Sequence, residues 1–227
     1  MTTLYIANKN YSSWSLRPWV LMTQLGIPFE EQLHVFGEGS NWDAFRPFSP
    51  NGRVPCLHDG DTVVWDSLAI MEYLAERHAG VWPSKPDART WARCASAEMH
   101  AGFSTLRNAC GMSCGVRVRL HAVDAALKAD IARINELWNE GLARFGGPFL
   151  AGDAFTAVDA FFAPVVFRIQ SYDLPTDGAA TAYVHRMLAL PAMRHWYTAA
   201  LAEPWRDHAH EAETRLYGDV VDDFRTG

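Results

Sequence analysis

A small mixed α/β domain followed by an all-helical bundle is the fold that the sequence predicts. Strand and helix signals alternate through residues 1–80, and beyond them the apolar residues step only by three and four. Between the two rhythms lies "VWPSKPDART", whose prolines and polar side chains mark residues 81–88 as a linker and leave 89–227 to the helical domain. With 49% hydrophobic residues, the chain has enough apolar area to offset its ordering entropy and to fold throughout.

In chain order, "TLYIA" reads as a strand and "SLRPWVLMTQLG" as a helix closed by Gly26. Pro18 lacks an N–H and suits a first helical turn, which places the cap at Ser15, Leu16 or Arg17 and leaves Ser12 and Ser13 in the preceding loop. "FEEQLHV" is a second strand, and "VPCLHDGDTVVW" is a hairpin turning at Asp59-Gly60. "DSLAIMEYLAERHAG" opens on capping residues and runs as a helix towards Gly80. In the second half, "AEMHAGFSTLR" is helical, and Leu127, Ile131, Ile134, Trp138, Leu142 and Phe145 form one face of a long amphipathic helix. "TAVDAFFAPVVFRIQ" starts at a capping box formed by Thr156 and Asp159, and "PAMRHWYTAALAE" is a further helix. No strand is expected after the linker, and the tail beyond Pro204 carries no pattern that assigns it.

Charge and composition narrow the function. Twenty basic against 26 acidic side chains, with no Lys/Arg stripe, argue against a nucleic-acid partner. "AFFAPVVF" is too short to span a bilayer and the start lacks a basic, then apolar, leader, so a cytoplasmic protein without a membrane partner is expected. Cys56, Cys94, Cys110 and Cys114 form no CxxC pair and gather no histidines, so reduced thiols and no metal are expected.

Three stretches admit both a structural and a chemical reading. The Val54-Pro55 pair is either a plain strand start or a cis peptide that leaves the Val54 backbone free to pair with an extended peptide. Asp66 and Ser67 are ordinary N-cap residues, yet a carboxylate beside a helix N-terminus also matches the ammonium and carboxylate of an amino acid. His100, with Met99, Phe103 and Arg107 at helical spacing, is either core or a cleft wall.

Taken in this order along nearly the whole chain, "NYSSWSLR", "GRVPCL", "VVWDSLAIMEYLAE" and "FTAVDAFFAP" resemble the glutathione S-transferases, with the serine-type, zeta-like branch the nearest. The resemblance implies a thioredoxin-like first domain, an all-helical second domain and a homodimer. It implies a cis Val54-Pro55 peptide binding the cysteinyl backbone of glutathione, with Asp66 and Ser67 at the γ-glutamyl end and Ser13 and Arg53 as further glutathione contacts. Zeta-like proteins carry S-S-C-x-W-R near the first helix, and Ser12-Ser13-Trp14-Ser15-Leu16-Arg17 matches it with Trp14 for the cysteine and Leu16 for the tryptophan. In that register Ser12 takes the place of the catalytic serine. Tyr11, His100, Phe103 and Arg107 would line the site of a small hydrophobic electrophile, glutathione being the cosubstrate. Two other functions fit the same resemblance: a glutathione-dependent isomerase of a maleyl-type dicarboxylate, using Arg107 or Arg168 for substrate carboxylates, and a noncatalytic binding or assembly module.

Overall fold

Alternation in the first strand decides how the N-terminal sheet is covered. In β1 (Thr2–Ile6), Leu4 and Ile6 join the main core, while Tyr5 and the following Ala7 belong to a second, smaller cluster with Phe45, Phe48 and Cys56. The structure is a computed structural model and describes residues 1–226. After β1 come α1 (Ser13–Leu25), β2 (Glu30–Leu33), the short α2 (Trp42–Phe45), β3 (Cys56–Asp59), β4 (Thr62–Val64) and α3 (Ser67–Ala75). The sheet order is β2-β1-β3-β4, with β1 parallel to β2 and antiparallel to β3. This is the small mixed sheet that the first half predicts, in the thioredoxin-like arrangement that the resemblance implies. The hairpin pairs Asp59 with Thr62, and Gly60 supplies the left-handed turn residue at φ 58°.

The second half contains α4 (Pro86–Ala101), α5 (Ser104–Ala109), β5 (Val116–Leu120), α6 (Ala125–Phe145), α7 (Ala157–Tyr172), α8 (Gly178–Ala189), α9 (Pro191–Ala202), α10 (His208–Tyr217) and β6 (Gly218–Asp223). α4 begins at Pro86, inside the stretch expected as linker, and Val81 is held by the Ala157 N–H at 2.7 Å. α6 buries Leu127, Ile131, Ile134, Trp138 and Leu142, the face its spacing defines. α7 is buried nearly all round, as the central helix of a bundle must be. The Thr156 and Asp159 capping box forms at its start. Among the described residues, no helix is long and apolar enough to cross a membrane.

Four local expectations need correction. The first helix starts at Ser13 with Ser12 as cap, so Pro18 lies inside it rather than in its first turn. Residues Ser15 to Met22 are all buried, and packing of this helix against α7 and α9 outweighs the single missing N–H. Strands also occur after the linker: β5 pairs antiparallel with β6 across about a hundred residues, a partnership that no local turn signal announces. "AEMHAGFSTLR" is two helices, broken at Gly102 and at Phe103, whose φ of 57° no helix interior accepts. The Asp130 carboxylate, reaching from α6, accepts the Leu106 N–H at 2.9 Å and so helps α5 start anew. Finally, α3 stops at Ala75 rather than continuing to Gly80.

Candidate functional site

The loop between β1 and α1 is held chiefly by the helical half of the chain. The backbone N–H groups of Lys9 and Asn10 donate to the two carboxylate oxygens of Glu203 at 2.6 and 3.3 Å, and Trp196 Nε1 donates to the Lys9 carbonyl at 2.9 Å. The Asn10 side chain donates to the Ala200 carbonyl and accepts the Gly115 N–H. Burial pushes the Glu203 carboxyl up, and the Lys9 and Asn10 N–H groups oppose that shift by favouring the ion. The loop that delivers Ser12 is therefore built by both halves.

Ser12 caps α1 without a side-chain cap bond; its Oγ lies 2.7 Å from Ser15 Oγ, which in turn accepts the Ala7 N–H at 3.3 Å. Ser15 is wholly buried, so its role is to brace Ser12 and the strand end. Ser13, half-buried in the first turn, donates its N–H to the Tyr11 carbonyl at 2.9 Å. Tyr11 turns into the C-terminal tail: it is buried, its hydroxyl donates to Glu211 and accepts from Arg225, and its ring stacks on His210. Burial pushes its phenol up to about 12, which keeps it protonated at neutral pH.

The Val54-Pro55 peptide is cis, immediately before β3. Among the described residues, no hydrogen bond engages the Val54 N–H or C=O. Arg53 is exposed, and its backbone N–H donates to Asn51 Oδ1 at 3.1 Å. Asp66 caps α3 by accepting the Leu68 N–H at 3.1 Å, yet its side chain stays 47% exposed and so can take a second partner. Ser67 Oγ is buried and has no hydrogen-bond partner among the described residues, although a buried hydroxyl ordinarily finds one. An open depression of about 460 Å³ lies over this corner, lined by Asn51, Trp65, Asp66, Glu72 and His100 among others. A larger hollow of about 570 Å³, between the linker and residues 144–156, holds none of these groups.

His100 Nε2 lies 3.6 Å from Asp66 Oδ2, and its ring meets that of Trp14 edge-on at 5.2 Å. Burial holds the His100 imidazole below its ordinary value, and Asp66 works against that shift. The Arg107 guanidinium sits 4.5 Å from the Trp14 ring centre and donates to the His100 carbonyl at 3.1 Å. Phe103 is packed in the main core, and Arg168 is buried with Nε on the Cys110 carbonyl at 2.7 Å. The fold thus gathers Asp66, His100 and Arg107 around Trp14, with Ser67 alongside Asp66, and it turns Tyr11 and Phe103 elsewhere.

Sequence reasoning assigned no role to Glu203 or the tail residues Glu211 and Arg225, and it took Arg17 only as a candidate cap and as the arginine ending the zeta-like motif. Arg17 was legible as a charge in the apolar helix run from Leu16 to Met22. The other three act through contacts with residues about 200 positions away, for which the sequence offers no local sign.

The unpaired Val54 backbone, the Asp66-capped α3 and the serine loop of a thioredoxin-like domain thus meet a helical domain. A sequence model of the glutathione S-transferase N-terminal domain matches residues 11–77, and one of the C-terminal domain matches 117–199. Glutathione S-transferase GstB of Escherichia coli (strain K12) is 32% identical over 184 residues, covering 74% of this chain and 83% of that protein. Glutathione S-transferase 3 of Zea mays is 30% identical over 172 residues, covering 70% and 71%. The theta class enzyme of Xanthomonas axonopodis pv. citri, solved with glutathione bound, superposes with a TM-score of 0.63 at 24% identity, covering 86% of this chain and 96% of that one. The chain belongs to the glutathione S-transferase family.

Proposed function

We propose that the protein is a serine-type, zeta-like glutathione transferase that binds glutathione on its first domain, residues 1–80, and activates the thiol for attack on a small electrophile. The observation that carries this reading is the α3 start, where an exposed Asp66 carboxylate stands beside the buried, unpartnered Ser67 hydroxyl. Asp66 would take the γ-glutamyl ammonium, while Ser67 and the helix N-terminus would take its carboxylate. Val54, with its N–H and C=O both free, would pair with the cysteinyl backbone as one more strand would. Ser13 and Arg53 would complete the glutathione site. Ser12, at the positive end of α1, would donate its hydroxyl to the thiolate. The acceptor would sit against the helical domain, residues 89–227, near His100 and Arg107. A homodimer in the cytoplasm completes the proposal.

Asp66→Asn separates the charge from the cap, because Asn caps a helix about as well as Asp. Calorimetric titration is expected to show glutathione binding weakened by about tenfold or more, with thermal stability nearly unchanged. Equal affinity in parent and variant would refute the Asp66 assignment, and no binding by the parent would refute the function.

A further inference from the structure

We infer that Glu203, at the end of α9 in the helical domain, is a positioning residue for the thiolate: it fixes the orientation of Ser12 through the peptide planes on either side of Lys9. The inference rests on the glutathione-transferase reading and names a residue that acts in it through Ser12.

Glu203 follows α9 directly and is 5% exposed. Its Oε1 accepts the Lys9 N–H at 2.6 Å, and that N–H belongs to the same planar unit as the Asn8 carbonyl. The Asn8 carbonyl in turn accepts the Tyr11 N–H at 3.1 Å and the Ser12 N–H at 2.9 Å. One rigid plane thus carries Glu203 on one side and Ser12 on the other. The next plane is held from the same direction: the Lys9 carbonyl accepts from Trp196 Nε1 at 2.9 Å, and the Asn10 N–H reaches Glu203 Oε2 at 3.3 Å. Rotating the first plane would turn the Asn8 carbonyl away from Ser12 and carry the Ser12 Oγ off its 2.7 Å contact with Ser15.

Satisfying two backbone donors does not by itself call for a carboxylate. Buried N–H groups are commonly met by a neutral carbonyl, a hydroxyl or water, and burying an anion is costly. Burial accordingly pushes the Glu203 carboxyl up. What the anion offers over a neutral acceptor is two charge-assisted bonds from one planar group, shorter and stronger than neutral ones. The Lys9 ammonium pairs with Glu31 of β2, so it is the backbone of the loop, and not the ammonium beside it, that Glu203 holds. Such stiffness matters where a donor must stand within about 0.5 Å of its working position, supported by groups whose own partners are fixed. Charge and position also act in opposite directions on the thiol. Removing the Glu203 charge would by itself ease ionisation of a nearby thiol and lower its pKa, whereas misplacing the Ser12 hydroxyl would raise it.

The test follows the pKa of the glutathione thiol bound to the full chain, by ultraviolet thiolate absorbance, in the parent, Ser12→Ala, Glu203→Gln and the double variant. Glu203→Gln keeps the size of the side chain but turns an NH2 group towards one of the two N–H donors. It is expected to raise the thiol pKa by about half a unit or more, with calorimetric glutathione affinity within a few fold. In the Ser12→Ala background the same substitution is expected to add less than about 0.2 units, since the group it positions is gone. Glu203→Asp keeps the charge but is too short to hold both donors, and it should raise the pKa only where Ser12 is present. If Glu203→Gln fails to fold by circular dichroism, Glu203→Asp decides in its place. An unchanged or lowered pKa overturns the inference. So does a rise of equal size with and without the Ser12 hydroxyl, which a general loosening of the loop would give. The parent and Ser12→Ala report on the glutathione reading separately: a parent that binds no glutathione, or a Ser12→Ala thiol that titrates as the parent's does, overturns that reading and the inference with it.

Discussion

Ser12→Ala is expected to lower conjugation turnover at neutral pH by about 10- to 1000-fold, the scale of one lost donor to a stabilised anion, while glutathione affinity stays within a few fold. A thiol with an ordinary pKa of about 8.5 is mostly protonated at neutral pH, and one hydroxyl hydrogen bond beside a helix N-terminus shifts it towards the thiolate. Ser12 stands at that terminus as the α1 cap, and its Oγ is not spent on capping. Its contact is Ser15 Oγ at 2.7 Å, and Ser15 is held in turn by the Ala7 N–H. Hydroxyl protons rotate, so with sulfur present Ser15 donates to Ser12 and Ser12 donates to sulfur, the two bonds strengthening one another. Ser15→Ala is therefore expected to slow turnover as well as to lower stability by about 1 kcal/mol, since it removes both the brace and the acceptor for Ala7. Ultraviolet absorbance of the bound thiolate against pH is the measurement. A pKa that rises in Ser12→Ala supports the assignment; one that rises only in Ser13→Ala moves the role one residue along.

How far the sequence could be read follows from the range of the interactions. The hairpin at Gly60, the capping box at Thr156 and the apolar face of α6 depend on neighbours a few residues away, and each was legible. The start of α1 was not, because local proline geometry favoured a late start and distant packing of the Leu16 to Met22 stretch decided otherwise. β5 had a local signal in the alternation of Val116, Val118 and Leu120 with Arg117 and Arg119, but its partner β6 is charged, largely exposed and a hundred residues on. For the candidate site, Asp66, Ser67, Val54 and the serines stood out as motifs. Arg17 stood there only as the last residue of the serine motif, and its enclosure by Trp14 and Phe161 had no local sign. The Glu203 grip on the serine loop was invisible for the same reason of distance.

Asp159→Ala is expected to destabilise the fold by about 3–5 kcal/mol, a third or more of the stability of a typical domain. Asp159 is fully buried at the start of α7 and accepts the Thr156 N–H at 2.9 Å, the Leu150 N–H at 3.0 Å, the Tyr183 hydroxyl at 3.1 Å and, more weakly, the Thr156 hydroxyl at 3.4 Å. Burial pushes its carboxyl up to about 6 against the pull of these donors, so at neutral pH it is ionised and the bonds are charge-assisted. Alanine strands these buried donors, and each stranded donor costs about 1–3 kcal/mol, less when several relax together. The loss does not stay local. The same turn holds Val81 through the Ala157 N–H, and α7 carries Phe161 beneath Arg17, so loosening it loosens the junction of the two halves. Asp159→Asn keeps one carboxamide oxygen but must aim its NH2 at another donor, and it is expected to lose about half as much. Urea unfolding of the three proteins at pH 7 measures this, with an unchanged slope identifying a change in stability rather than in the denatured state. A loss below about 1 kcal/mol for Asp159→Ala would mean that water takes the place of the carboxylate, and that this capping box is worth no more than an ordinary exposed cap.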